Sequence, residues 1–447
     1  MDYLLNWIKE HNITEIECLV PDMSGIARGK IIPANKFSAD EGMRLPENIF
    51  VQTVTGEYPD DESVINPAEI DMQLHPDSNT IRVVPWAHEP TAQVIHDCYY
   101  RDGEAVDLAP RTVLRRILNL YEQQGWLPVV APELEFFLVK KNIDPDYPLE
   151  PPIGRSGRPE SARQSYGIDA VNEFDPLFED IYDYCEAQRI NIDTLIHEAG
   201  AAQMEINFLH GDALEAADQV FLFKRTVREA ALRRDIYATF MAKPMQREPG
   251  SAMHIHQSLV DRKTGQNLFA NTQQDPTPLF LHYLGGLQKY LPVALCFFAP
   301  NVNSYRRFLR YDSAPINVQW GYDNRTVGLR VPHATPAARR VENRVAGADA
   351  NPYLALAASL ACGYLGIQQQ LTPQNPVVGS GYKFPYEIPR NLEDSLRRLD
   401  EDEDAPALRA ILGERFVKAY QAVKWKEYET FLGVISSWER NFLLLNV

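Results

Sequence analysis

Cysteine is scarce and unpaired in this 447-residue chain. Cys18, Cys98, Cys185, Cys296 and Cys362 are scattered, odd in number and without a CxxC spacing. A disulfide framework needs paired thiols, so the pattern suits a reducing cytoplasm better than an oxidising compartment. Long apolar runs are missing as well. The longest, 279–299, carries His282, Gln288, Lys289 and Pro292, and reads as a buried helix rather than a membrane span. Residues 1–10 lack the basic head and small-residue cleavage site of a signal peptide and read as the start of an amphipathic helix. Positive charge is in deficit, 44 Lys plus Arg against 61 Asp plus Glu, for a formal net charge of −17. Nucleic acid and anionic membrane surfaces are therefore poor partners. The G-x-x-x-x-G-K-[ST] phosphate loop is absent, as are internal repeats and low-complexity segments.

What is present alternates between strand and helix patterns. Strand-like runs fall at 16–20, 29–32, 80–84 and 92–96, and a helix at 111–124 opens after Asp107. We place a domain boundary there, giving units 1–107 and 108–447. Beyond it the sequence predicts a strand at 129–139, helices near 175–188 and 212–235, and strands near 192–198 and 203–208. Residues 148–164 and 375–389 have the Pro/Gly-rich composition of loops, the first suited to covering a site, and 392–445 reads as helical.

Two carboxylates interrupt the apolar strand at 129–139. Glu133 and Glu135, two residues apart, point to one face of that strand. Like charges side by side in an apolar setting are costly unless a cation lies between them, and a divalent metal is the usual solution. The runs 192–198 and 203–208 flank the small-residue turn Ala199-Gly200-Ala201-Ala202, a hairpin that would bring Glu198 and Glu205 together; a solvated hairpin tip is the alternative. His254, His256 and Ser258 alternate after a Gly250-Ser251 turn and share a strand face, which tilts at least one histidine toward a ligand role. From 306 to 344 the basic residues are all arginine: Arg306, Arg307, Arg310, Arg325, Arg330, Arg339, Arg340 and Arg344. Guanidinium forks match carboxylate and phosphate oxygens bidentately. Carboxylates, histidines and an arginine block together suggest metal-assisted phosphoryl transfer with Mg2+, or Mn2+ where a histidine ligates.

These pieces, in this order, resemble the glutamine synthetase family. The motifs are Pro132-Glu133-Leu134-Glu135-Phe136-Phe137, 250–259, Asn303-Ser304-Tyr305-Arg306-Arg307, Asn324-Arg325-Thr326, and Arg339-Arg340-Val341-Glu342-Asn343-Arg344 leading into Ala350-Asn351-Pro352-Tyr353. The resemblance implies an α+β fold: an N-terminal β-grasp domain, then a catalytic domain with a curved antiparallel sheet and helices. It implies homo-oligomers built from six-membered rings, single or stacked, with active sites between neighbours. By motif match, Glu135, Glu198 and Glu205 would hold one metal, and Glu133, His254 and Glu342 a second. Gly250, Arg307 and Arg344 would hold glutamate. Arg325, Arg330 and Arg340 would face ATP phosphates, with His256 and Ser258 lining the nucleotide site. Arg325, Arg307 and Glu342 are the expected catalytic groups. The implied chemistry is attack of the glutamate γ-carboxylate on ATP, then displacement of phosphate from γ-glutamyl phosphate by an amine.

The departures from the family pattern concern the amine. The Asp-Gly-Ser-Ser stretch of ammonia-using members is replaced by a longer segment, 50–63, containing Glu57, Tyr58, Asp60, Asp61 and Glu62. The flap glutamate falls at Ser313, and Pro249 stands where asparagine is usual. Tyr166 aligns loosely with the tyrosine of the ammonium pocket. Losing two carboxylates removes the anionic cage that a small cation needs. The pattern resembles the γ-glutamyl-polyamine and γ-glutamyl-amine synthetase branch, in which a larger primary amine replaces ammonia. Tyr166, Ser313 and Glu57 are the expected amine-pocket residues. The acidic run 57–62 would suit a polyamine, whereas Tyr58, Tyr311 and Trp320 would suit an arylalkyl amine. A true glutamine synthetase and a non-catalytic relative are the competing expectations.

Overall fold

The computed structural model describes residues 2–37, 43–161, 163–271, 273 and 275–447. Met1, at the head of the expected N-terminal helix, and Ala162, in the expected 148–164 loop, lie outside the described residues. Six strands form the first sheet: β1 (Glu15–Pro21), β2 (Ala27–Pro33), β3 (Met43–Pro46), β4 (Asp71–Pro76), β5 (Arg82–Val83) and β6 (Thr91–Tyr99). Their order is β2-β1-β6-β4-β3, with β5 on β6, and β1 runs parallel to β6. This is the β-grasp unit that the resemblance implied. The β1–β2 approach is so close that a Cβ on Gly29 would sit 1.8 Å from the Cys18 carbonyl oxygen, so only glycine fits there. β3 and β4 were not expected from the sequence. The expected 80–84 strand is a 3-10 turn, Ser78–Thr80, followed by the two-residue β5.

The second sheet has nine strands: β7 (Trp126–Lys140), β8 (Ile192–His197), β9 (Gln203–Phe208), β10 (Gly211–Asp212), β11 (Ile236–Thr239), β12 (Met253–Asp261), β13 (Trp320–Tyr322), β14 (Leu329–Val331) and β15 (Val341–Asn343). The order is β13-β14-β15-β12-β7-β9-β8, with β10 and β11 also on β7. All pairings are antiparallel except β13 with β14. Leu134, Phe136 and Leu138 of β7 are buried in the main core on one face, so the alternate residues, Glu133 and Glu135 among them, are delivered to the other. The same core takes in the helices Pro110–Gln123, Ala213–Arg233, Pro278–Tyr290 and Pro352–Gln368 and, from the N-terminal sheet, Leu19, Val20, Met72 and Ile95.

Two helices meet backbone to backbone. A Cβ on Gly286 would lie 2.3 Å from the Cys362 carbonyl oxygen, and one on Gly366 would lie 2.2 Å from that of His282. The apolar run at 279–299 is therefore not one helix: Pro278–Tyr290 ends before Pro292, and a short helix, Leu295–Phe298, follows. Proline donates no backbone hydrogen bond and clashes with the preceding turn, which accounts for the break. The C-terminal part is four helices, Leu392–Glu401, Ala405–Leu412, Glu414–Leu432 and Ser437–Leu443.

Polar side chains tie the N-terminal sheet to the rest. Asn351 caps the helix Pro352–Gln368 by accepting from Tyr353 N and Leu354 N, while its amide donates to the Asp22 carbonyl at 2.8 Å. Arg111, 3 % exposed, bonds Asp97, Asp77 and Asp218 at 2.6, 2.7 and 2.8 Å. No helix among the described residues is long and apolar enough to cross a membrane. All five cysteines are buried free thiols.

Candidate active site

The register of the large sheet assembles the site. Glu133 on β7 stands directly opposite His254 on β12 and opposite Asn207 on β9, while Glu135 faces Glu205. His256 faces Glu342 on β15, which in turn faces Arg330 on β14. The sheet thus brings carboxylates, imidazoles and a guanidinium onto one face, from segments as distant in sequence as those of Glu133 and Glu342.

Glu133 is the hub. His254 Nδ1 lies 3.3 Å from one of its oxygens, and His256 Nε2 lies 2.7 Å from the other. Arg340 Nε donates to His256 Nδ1 at 3.0 Å, which leaves Nε2 as the ring nitrogen that donates to Glu133. His254 also approaches Glu342 at 3.7 Å and Glu135 at 3.9 Å. Glu342 is fully buried and accepts from Arg330 at 2.7 Å and from Arg344. Glu135 accepts from Ala252 N at 2.9 Å and from the Gln203 amide at 3.3 Å.

The carboxylates fall into two electrostatic classes. Burial pushes Glu133 upward, but bonds from His254 and His256 outweigh it and hold the group well below the usual range. Burial likewise opposes Glu342, and the Arg344 charge, with His254 and His256, brings it down to about 2. Glu135 goes the other way, raised to about 8 by burial and then by the Glu198 charge. Glu205 is raised to about 9 by burial and by Glu135, and burial raises Glu198 too. Three neighbouring carboxyls held reluctant to ionise form a site short of positive charge. His254 is lowered to about 4 by burial and Arg344, which keeps its ring neutral and fit to ligate.

Among the described residues, two compact triads of ligand atoms meet the spacing that a metal needs. Glu133, His254 and Glu205 form one; Glu133, His256 and Glu342 form the other, with all atoms of each triad within 4.8 Å. Oxygen and imidazole donors of this kind fit Mg2+ or Mn2+. These triads cut across the division expected from the motifs, because Glu133 belongs to both and His256 stands at ligating distance.

Two cavities meet at this wall. The larger, about 700 Å³, is lined by Glu133, Glu135, Glu198, Glu205, His254, Gly250, Arg307, Arg325, Arg330 and Arg344, with Tyr166 and Ser313 at the same cleft. The second, about 470 Å³, holds His256, Ser258 and Arg340. Glu133 and Asn207 line both. The structure thus separates the residues expected for glutamate and amine from most of those expected for the nucleotide, and joins the two spaces at Glu133. Gly250 is obligatory: a Cβ there would lie 2.5 Å from Arg307 Cγ. Arg307 donates to the Val345 and Arg344 carbonyls at 2.7 and 2.8 Å, and burial lowers it to about 10. Arg325 is exposed in the cleft and makes no hydrogen bond or ion pair among the described residues.

Glu57 does not line this cleft. It sits on the surface, accepting from Thr55 at 3.1 Å and Thr430 at 3.4 Å. Sequence reasoning passed over Gln203 and Asn207, which flank Glu205 at spacing two on β9 and line the cleft with it. The alternation that singled out Glu205 carried that signal. It also passed over Glu160, whose contact with His197 no local pattern announces.

Comparison with known proteins agrees with this geometry. A family model described as the glutamine synthetase catalytic domain matches residues 107–443. A gamma-glutamylputrescine synthetase of Escherichia coli is 35 % identical over 97 % of this chain and 92 % of its own. A glutamate–isopropylamine ligase of a Pseudomonas species is 33 % identical over 97 % and 95 %. A glutamine synthetase of Halobacterium salinarum is 30 % identical over 98 % and 94 %. Among solved structures, ligand-free GmaS superimposes with a TM-score of 0.83 at 28 % identity over 100 % of both chains.

Proposed function

The chain belongs to the glutamine synthetase family, and on that premise we propose that it is an ATP-dependent ligase joining the γ-carboxylate of glutamate to a primary amine larger than ammonia. One observation carries the acceptor assignment. The cleft that gathers the acidic and arginine groups is also lined by Ser313, Tyr166 and Tyr311, and Ser313 stands where the family pattern has the flap glutamate that would help cage ammonium. The two relatives that are named as amine ligases support the same acceptor class.

The residues divide the work along the sheet. Gly250, Arg307 and Arg344 hold glutamate in the larger cavity. His256, Ser258 and Arg340 hold ATP in the second, so its phosphates reach the junction at Glu133. A γ-carboxylate oxygen of glutamate then forms a bond to the terminal phosphorus as the bond to ADP breaks, giving γ-glutamyl phosphate. Arg325 and Arg330 stabilise the charge on the transferred group. The amine nitrogen attacks the γ-carbonyl carbon, phosphate leaves and a proton is lost from nitrogen. Glu133, Glu135, Glu198, Glu205, His254 and Glu342, with His256 adjoining, would hold two or more Mg2+ or Mn2+ ions. Bound there, such ions supply Lewis-acid stabilisation of the phosphate oxygens.

We further propose units 1–107 and 108–447, a cytoplasmic location matching the buried free thiols, and rings of six subunits, single or stacked. In such a ring, the 50–63 segment with Glu57 would complete a neighbour's cleft instead of its own. Incubating the protein with glutamate, ATP, Mg2+ and a panel of primary amines tests the reaction directly. Mass spectrometry should find the amide, glutamate plus amine less water, in step with ADP. ADP release without any such amide would overturn the ligase reading.

A further inference from the structure

Glu160 lies outside the cleft lining, yet it binds the hairpin that carries two of its carboxylates. One oxygen, Oε2, accepts from His197 Nε2 at 3.0 Å and from Ala202 N at 2.8 Å. His197 is fully buried at the side chain, and Glu160 is 7 % exposed there. The other ring nitrogen of His197 lies 2.7 Å from the carbonyl of Glu198. Glu160 therefore grips both ends of the turn 198–202, directly at Ala202 and through the imidazole at Glu198. A buried carboxylate receiving two donors is a strong tether, because loss of either side leaves charged or polar groups unsatisfied. Its second oxygen, Oε1, is buried without a hydrogen-bond partner, a cost that the fold accepts to keep the carboxylate in place.

The same loop returns to the cleft six residues later. Tyr166 N donates to the His197 carbonyl at 2.8 Å, and Ser165 and Tyr166 line the larger cavity. Tyr166 holds a left-handed φ of 63°, a conformation that a non-glycine residue keeps only when its surroundings enforce it. His197 thus receives the loop twice, through its ring from Glu160 and through its carbonyl from Tyr166. The hairpin bearing Glu198 and Glu205 and the backbone at Tyr166 are both tied to His197.

We propose that Glu160 is a positioning residue that couples the acceptor wall to the metal-side hairpin, closing the cleft to water while γ-glutamyl phosphate waits for the amine. This inference rests on the ligase reading above. An acyl phosphate exposed to water is lost by hydrolysis, so a loosened wall should leak ATP turnover. The test compares full-length wild-type protein with E160A and the isosteric E160Q in two arms. The first measures amine-dependent amide and amine-independent ADP release with glutamate and Mg2+. The second follows trypsin cleavage after Arg155 and Arg163, which flank the clamp.

E160A should raise KM for the amine about tenfold, raise the ratio of ADP to amide, and speed cleavage at both arginines; E160Q, which keeps one acceptor oxygen, should fall between. Unchanged KM, ratio and cleavage in E160A would overturn the clamp. So would a proportional fall in all rates with a lowered melting temperature and an unaltered ADP-to-amide ratio, the signature of general destabilisation. Wild-type protein forming no amide with any amine would sink the ligase reading instead, while the cleavage arm still reads the clamp.

Discussion

At the scale of residues, neighbouring carboxylates share one wall of the cleft. Glu135 and Glu205, raised to about 8 and about 9 from 4.5 by burial and by nearby carboxylate charge, bind protons in the folded, metal-free protein that the unfolded chain has already lost. A folded-state pKa above the unfolded value gives stability that is complete below about 4.5 and disappears as pH rises through the folded value. His254, lowered to about 4 from 6.5, acts oppositely and removes stability as pH falls below about 6.5. Between these limits, metal-free protein should melt progressively lower from pH 6.5 to pH 9, and the rise in melting temperature on adding Mg2+ should grow over the same range. Thermal unfolding with and without Mg2+ checks this. A Mg2+ effect independent of pH would contradict it.

Ser313 belongs to the same scale. It lines the cleft and already sits at a φ of 64°, so S313E changes the side chain without adding a new backbone demand. A carboxylate there should favour a small ammonium ion and shift the ratio of ammonia to amine turnover toward ammonia by about tenfold. Paired steady-state rates for the two acceptors measure it, and an unchanged ratio would place the acceptor determinant elsewhere.

At the scale of elements, two glycine contacts hold the helical layer together. The helices Pro278–Tyr290 and Pro352–Gln368 touch where Gly286 meets Gly366, and a Cβ on Gly366 would fall 2.5 Å from Gly286 Cα. Backbone cannot turn aside as a flexible side chain can. G366A should therefore cost about 3 kcal/mol in denaturant unfolding, whereas a loss below about 0.5 kcal/mol would show that the helices separate freely.

What could be read beforehand follows from the same physics. The central strand was legible because two carboxylates at spacing two in an apolar run are costly without a cation between them. Its partners were not: the facing of Glu133 with His254 and Asn207 depends on register across strands far apart in sequence. The helix Pro352–Gln368 is buried along most of its length and shows no polar face, so only its head, Asn351-Pro352-Tyr353, was noticed. β3 and β4 are short strands that each end in proline, too brief for alternation to establish itself. Loop-to-hairpin contacts such as that of Glu160 with His197 leave no local trace at all.

At the scale of the whole molecule, the large sheet presents one chemical face with two cavities that meet at Glu133, and the family architecture supplies phosphoryl transfer to glutamate. On the proposed reading the acceptor is decided by Ser313 and Tyr166, which line the larger cavity, and in a ring also by the 50–63 segment of a neighbour. Substrate choice is thus separable from phosphoryl chemistry: substitutions there should move acceptor preference while leaving glutamate and Mg2+ dependence in place. The most direct measurement is kcat/KM for ammonia set against diamines, polyamines and arylalkyl amines, by ADP release with saturating glutamate, ATP and Mg2+ near neutral pH. A primary amine should exceed ammonia by about tenfold or more. Ammonia as the best acceptor would contradict it.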